Sequence, residues 1–191
     1  MKQIAFLIIC FTAVASVCYS WGTLTVFAGE KFLDSKQWKP ADEHFLKAIR
    51  FDIGDPTQFA NISLDYYASD YNKMTFENNA LTNILAKTEE IRIGLRGYYG
   101  QKVRFFGAGG IANITSSLSK QTAQGESVCS GSTGYNFFSN GVWFEAGMDY
   151  SLSNMFIAGL SGSYSDGRIK CGGKNFQVGG ANAGAYFGIS F

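Results

Sequence analysis

From Thr23 onward the chain is built of stretches in which apolar and polar side chains alternate. The last is the cleanest: Ala181, Ala183, Ala185, Phe187, Ile189 and Phe191 fall on one side, and Asn182, Gly184, Tyr186, Gly188 and Ser190 on the other. A strand places successive side chains on opposite faces, so this segment predicts a strand with one wholly apolar face. The same reading predicts strands at Thr23–Phe32, Glu43–Ile53, Phe59–Ala68, Thr88–Tyr99, Val103–Ile114, Gly141–Tyr150, Met155–Asp166 and Val178–Phe191. Past Ser20 no segment carries a long helical period or the run of about 20 apolar residues that a membrane helix needs.

The connections alternate in length. Gly54–Gln58, Gly100–Lys102 and Ser151–Asn154 are short, whereas Leu33–Asp42, Ser69–Lys87, Thr115–Asn140 and Gly167–Gln177 are longer. Tight turns at one end and long loops at the other, with alternating strands of about ten residues, are what an outer-membrane barrel shows. An even number of strands returns both ends of the wall to the short-turn side.

Charge decides which face points inward. Glu90, Arg92 and Arg96 share one face of the fourth strand, while Ile91, Ile93, Leu95 and Tyr99 share the other. Glu145 and Asp149 oppose Val142, Phe144, Ala146, Met148 and Tyr150, and Asp65 opposes Ile62, Leu64 and Tyr66. A Lys or Arg facing lipid at mid-depth costs roughly 2–4 kcal/mol, so several at once would exceed ordinary protein stability. The charged faces must therefore line the interior, and Lys31, Arg50, Asp52 and Arg104 are expected to join them. The predicted fold is all-β: an eight-stranded antiparallel up-and-down transmembrane barrel. Near-balance of acids and bases implies paired charges filling the lumen rather than an ion-selective lining. Lys47 breaks the pattern, lying in phase with Phe45, Ile49, Phe51 and Ile53. Either a bulge shifts the register there or the side chain carries its ammonium to an interface.

Composition agrees with this picture. The 191 residues hold 23 Gly and only 2 Pro, beside 17 Phe and 10 Tyr. So many aromatics argue against glycine-rich disorder. A formal charge of +1 offers no basic stripe for nucleic acid, and no nucleic-acid partner is expected. Lys2, the apolar run Ile4–Val17 and the small residues before Trp21 read as an export signal over residues 1–20, leaving residues 21–191 for the barrel. A lipid-modified Cys18 is a weaker reading, because Val17 occupies a site where processing calls for a small residue. Of the 4 cysteines, Cys129 and Cys171 fall in neighbouring long loops beyond the leader. In an oxidising compartment they are candidates for a disulfide, provided their Cα atoms come within about 7 Å.

Candidate chemistry is sparse. His44 is the single histidine and no cysteine pair has C-x-x-C spacing, so no metal or other cofactor is expected. Membrane barrels that modify lipid A use a rim histidine, but Leu46 stands where the deacylase arrangement would place its serine. An interfacial polar side chain is the plainer expectation for His44. Gly159–Ser163 imitates a nucleophile elbow but ends on Ser163 instead of glycine. Gly172–Asn175 imitates the end of a phosphate loop, but Asn175 stands where Ser or Thr is required. The cluster Gly107–Gly110 reads as a place where a strand bends or packs closely. Trp21, Phe32, Trp38, Tyr66, Tyr99, Tyr150 and Phe191 fall near strand ends, where aromatic rings favour the water–lipid boundary.

With Gly29-Glu30-Lys31-Phe32-Leu33-Asp34, then Trp38-Lys39-Pro40, and the terminal alternation in place, the chain resembles the small eight-stranded outer-membrane barrels of Gram-negative bacteria, the outer membrane protein beta-barrel domain family. The resemblance spans the whole mature chain. It implies residence in the cell outer membrane, contact with lipid and lipopolysaccharide, and delivery by periplasmic chaperones to the barrel assembly machinery. Phe187, Ile189 and Phe191 would form the assembly signal, Ile189 standing where many members have an aromatic. No shared catalysis is implied. The expected function is structural or surface-interacting, with long loops carrying Met74, Phe76, Leu81 and Tyr135 toward an extracellular partner. A narrow solute channel and a lipid A-modifying enzyme are the alternatives.

Overall fold

The structure, a computed structural model, describes residues 22–38, 41–54, 60–77, 80–121, 137–171 and 174–191. Its strands are β1 (Gly22–Phe32), β2 (Glu43–Ile53), β3 (Asn61–Glu77), β4 (Ala80–Gly100), β5 (Val103–Gln121), β6 (Phe137–Ser151), β7 (Phe156–Asp166), β8 (Arg168–Cys171), β9 (Lys174–Gln177) and β10 (Gly180–Ser190). A one-turn helix, α1 (Ser35–Trp38), lies between β1 and β2. Eight strands close into an antiparallel barrel in the order β1-β10-β7-β6-β5-β4-β3-β2, and β8–β9 is a separate hairpin within the last connection. The wall closes where β1 pairs β10, from Thr23↔Ser190 to Phe32↔Ala181.

Tracing Cα partners around the wall from Gly22 leads through Ile53, Ile62, Leu95, Gly109, Phe144, Tyr164 and Ala181 back to Phe32. The stagger is thus ten residues, from 22 to 32. At ~3.3 Å per residue and ~4.7 Å between strands, that stagger tilts the strands by about 41°. Eight strands so tilted enclose a bore that side chains fill. Gly54 (φ 137°) and Gly100 (φ 115°) turn the chain at the short-turn end in a backbone conformation that side chains disfavour.

Three loop expectations are corrected. Ser69–Lys87 is not an irregular loop, because β3 and β4 stay paired as far as Glu77↔Ala80. Likewise β5 and β6 extend into the expected loop Thr115–Asn140, and β8–β9 forms inside Gly167–Gln177. The apolar alternation ends where the bilayer does, but backbone pairing does not need it. Polar residues can extend a ladder into water once the membrane-embedded part fixes its register.

Candidate functional site

Alternation turns every second side chain of the wall inward, and these inward positions carry five cations and five anions: Lys31, Arg50, Arg92, Arg96 and Arg104 with Asp52, Asp65, Glu90, Glu145 and Asp149. All are buried. Equal numbers leave the bore without net charge, and its side chains pair with one another. Arg96 is the hub. Its Nη1 lies 2.6 Å from Asp52 Oδ1, and its Nη2 lies 3.1 Å from Asp65 Oδ2 and 2.8 Å from Glu145 Oε2. Arg50 Nη1 completes the group 3.1 Å from Glu145 Oε1.

Nearer the long-loop end, Glu90 receives Lys31 Nζ and Arg92 Nε, the latter at 2.8 Å. Nearer the short turns, Arg104 binds both oxygens of Asp149 at 2.8 and 3.0 Å. Aromatic rings fill the gaps: Arg92 lies 3.9 Å from the Tyr67 ring centre, Arg50 4.4 Å from Tyr186 and Arg104 4.7 Å from Tyr98. Such stacking suits guanidinium, which is planar and weakly hydrated. Ser63, Ser161, Ser163 and Ser165 supply hydroxyl partners to Asp65, Arg50, Arg92 and Glu90 respectively. These hydroxyls and rings were not assigned from the sequence as partners of the charges, although Phe27, Ser63, Tyr67, Phe106 and Tyr186 lie in phase with the charged faces.

The outer mouth is closed by the segment around α1. Leu33, Trp38 and Ala41 pack with Ile84, Ala86, Ala112, Ile114, Trp143 and Val178 in one apolar cluster. Trp38 Nε1 donates to the Gln177 carbonyl at 2.6 Å, tying this segment to β9. Trp38 is therefore not part of an interfacial belt. It is buried at 4% exposure because its chain segment folds over the bore rather than along the outer wall. Phe32, Tyr66, Tyr99, Tyr150 and Phe191 do lie on the outer surface, and Trp21 is outside the described residues.

His44 also departs from expectation. It is buried beneath α1, with Nε2 3.1 Å from the Ala41 carbonyl and Nδ1 3.2 Å from Ser69 Oγ. A carbonyl only accepts, so Nε2 carries the proton and Nδ1 accepts from Ser69. This imidazole–hydroxyl pair has the elements of a nucleophile and base, but both residues are 1% exposed and the closed mouth separates them from any lipid. Ser161 is held inward by Arg50, and Gly107–Gly110 lies within β5. Cys129 and Tyr135 lie outside the described residues, as do the side chains of Cys171, Phe76, Leu81 and Asn175, and with them the disulfide reading. Among the described residues no cluster of His, Cys, Asp and Glu could hold a metal ion.

The outer surface is apolar, with Val26, Ile49, Leu64, Ile93, Phe105, Phe144, Leu160 and Phe187 all exposed. Lys47 is exposed among them. Pairing is continuous on both sides of it, Ala28↔Lys47 and Lys47↔Ala68, so no bulge shifts the register. Its ammonium lies 5.3 Å from the Phe45 ring centre, toward the mouth, which leaves the extended stem as the means of accommodation. Phe187 is exposed on the outer face of the terminal strand, Ile189 is half-buried, and Phe191 stacks on Phe51.

An ionic interior inside an apolar exterior defines a barrel built to cross a bilayer, and the fold is that of the small eight-stranded outer-membrane barrels. Neisserial surface protein A superposes with a TM-score of 0.56 at 10% identity, covering 90% of this chain and 96% of its own. Ail, the attachment invasion locus protein of Yersinia pestis, gives 0.55 at 10% identity, covering 91% and 100%. The Ail complex with the heparin analogue sucrose octasulfate gives 0.59 at 11% identity, again covering 91% and 100%. At these identities the likeness establishes the fold. No protein-family model matches the sequence, and no curated protein matches it.

Proposed function

We propose that this chain is an outer-membrane barrel of structural or surface-interacting function, without catalysis, whose wall anchors an outward-facing rim. The observation that carries this reading is the Arg96 hub: one guanidinium joined to Asp52, Asp65 and Glu145 from three other strands, across the bore. Solute would have to displace neutralised, hydrogen-bonded charges, so the interior acts as a strut. Residues 1–20 serve for export. Phe187, Ile189 and Phe191 are read by the assembly machinery after chaperoned passage through the periplasm, and lipopolysaccharide surrounds the outer half of the wall. A bridge between Cys129 and Cys171 would tie two outer loops together. Ail, of the same fold, binds a heparin analogue in its crystal structure, which supports an extracellular partner for this rim as well.

The test is conductance of the purified protein in planar bilayers. No steady ohmic openings are expected across the usual voltage range, and reproducible unit openings would establish the channel instead. A lipid A-modifying enzyme would require His44, so lipid A mass spectra should be the same for the wild type and His44→Ala.

A further inference from the structure

Two opposite charges stand side by side on the apolar outside of the wall. Glu30 on β1 is exposed between the outward residues Ala28 and Phe32, and Lys47 on β2 between Phe45 and Ile49. Phe45 pairs with Glu30 and Ala28 with Lys47, so the charges are diagonal neighbours with Cα atoms about 8 Å apart. The strand tilt sets Lys47 only ~2 Å deeper than Glu30. Both lie on the bilayer side of the exposed Phe32 and Phe45 rings.

Within one chain they do not satisfy each other. Lys47 turns its ammonium to the Phe45 ring, 5.3 Å from its centre, and among the described residues no cation comes within ion-pair distance of Glu30. Ionised groups facing lipid are rare and ordinarily paired. The other charges of this face are placed differently. Glu43, opposite Phe32, and Asp70, opposite Phe45, stand ~8 and ~6 Å farther out than Glu30, where water and salt screen them. Lys87 is held by Glu89 at 2.6 Å.

A two-fold axis along the membrane normal brings equal depths together. An axis passing between Glu30 and Lys47 therefore sets each Glu30 against the partner's Lys47, twice over. The side chains beneath allow close approach. Ala28 lies below and between the two charges, and the residue paired with it on β10 is the outward Ala185. Phe45 stands above this hollow and Phe187 below it, the latter stacked on Phe156 at 5.8 Å. Small residues let membrane-embedded backbones meet closely. We propose that the outward face of β1, β2 and β10 is a homodimer interface, on which a second copy of this chain exchanges Glu30–Lys47 ion pairs around Ala28.

Sedimentation equilibrium of the mature protein in neutrally buoyant micelles reads the association directly. The wild type should show a reversible monomer–dimer equilibrium. Glu30→Lys and Lys47→Glu, each checked for folding by heat-modifiable gel mobility, should weaken it at least tenfold, because like charges then face one another. Mixed in equal amounts, the two variants should recover wild-type dimerisation, since each lysine of one meets a glutamate of the other. An ion pair within one chain could not produce that recovery. Ala28→Leu keeps both charges and should also weaken the dimer at least tenfold. A monomeric wild type, an Ala28→Leu protein that dimerises as the wild type does, or a mixture no more associated than its components would overturn the proposal. A monomeric wild type that retains a phospholipid lost from Glu30→Lys would overturn it in favour of a lipid on this face.

Discussion

Arg96 on β4 reaches Glu145 on β6 at 2.8 Å, with neither side chain exposed to solvent. Because the same guanidinium also binds Asp52 and Asp65, it bridges a carboxylate cluster that would otherwise repel itself. Breaking a buried ion pair from one side is costly because the remaining charge stays desolvated. Arg96→Leu should therefore lower unfolding stability in detergent by roughly 3–5 kcal/mol. Arg96→Lys should retain part of it as a single point charge. Urea-gradient unfolding followed by gel mobility provides the comparison, and indistinguishable midpoints would mean that the hub is not a strut.

Trp38 seals His44 from the outside, with ring centres 6.3 Å apart. Removing the indole takes away the cap of the apolar cluster and the hydrogen bond to Gln177. Trp38→Ala should leave the barrel folded but make His44 reactive to diethyl pyrocarbonate, to which the wild type should be inert. Peptide mass mapping reads the modification directly. Rapid labelling of His44 in the wild type would show that the mouth stands open.

The outer face of β4 provides a depth test. Ile93 is 51% exposed in the middle of the apolar face and Tyr99 is 83% exposed at its short-turn end. An outward Arg should cost roughly 2–4 kcal/mol near mid-depth and ~0–1 at the interface, so Ile93→Arg should damage folding into lipid vesicles far more than Tyr99→Arg. Equal penalties would remove the bilayer from the explanation.

What could be read in advance follows from the physics of a two-residue period. Inside and outside were legible because one charge in the wrong phase is expensive, as Glu90 and Arg92 against Ile91 and Ile93 illustrate. The extent of β3 and β4 was not legible. Lys73↔Ile84 and Met74↔Asn83 pair through backbone and obey no hydrophobic alternation. Trp38 and His44 were misplaced for another reason. Strand phase says nothing about a connection that folds back over the bore, and the cue was a tertiary one, the apolar inward residues Ile84, Ala86, Ala112 and Ile114 awaiting a cover.

Two glycines on adjacent strands should respond oppositely to an added methyl group. A Cβ at Gly94 would meet the Gly109 carbonyl and lie 2.8 Å from Trp143 Cζ2. The indole is itself fixed by Nε1 hydrogen bonds to the carbonyls of Ile93 at 3.3 Å and Ile111 at 3.1 Å. Neither backbone nor ring can yield without losing those bonds, so Gly94→Ala should destabilise by about 1–3 kcal/mol, the usual cost of overpacking. At Gly107 a Cβ would meet nothing within 4 Å. Gly107→Ala should be neutral or stabilising by up to ~1 kcal/mol, since it restricts the unfolded chain without a clash. Unfolding midpoints of the pair, together with the indole N–H resonance of Trp143 in detergent, decide it. A Gly94→Ala protein as stable as Gly107→Ala, with that resonance unmoved, would mean that the ring does not lie against the glycine.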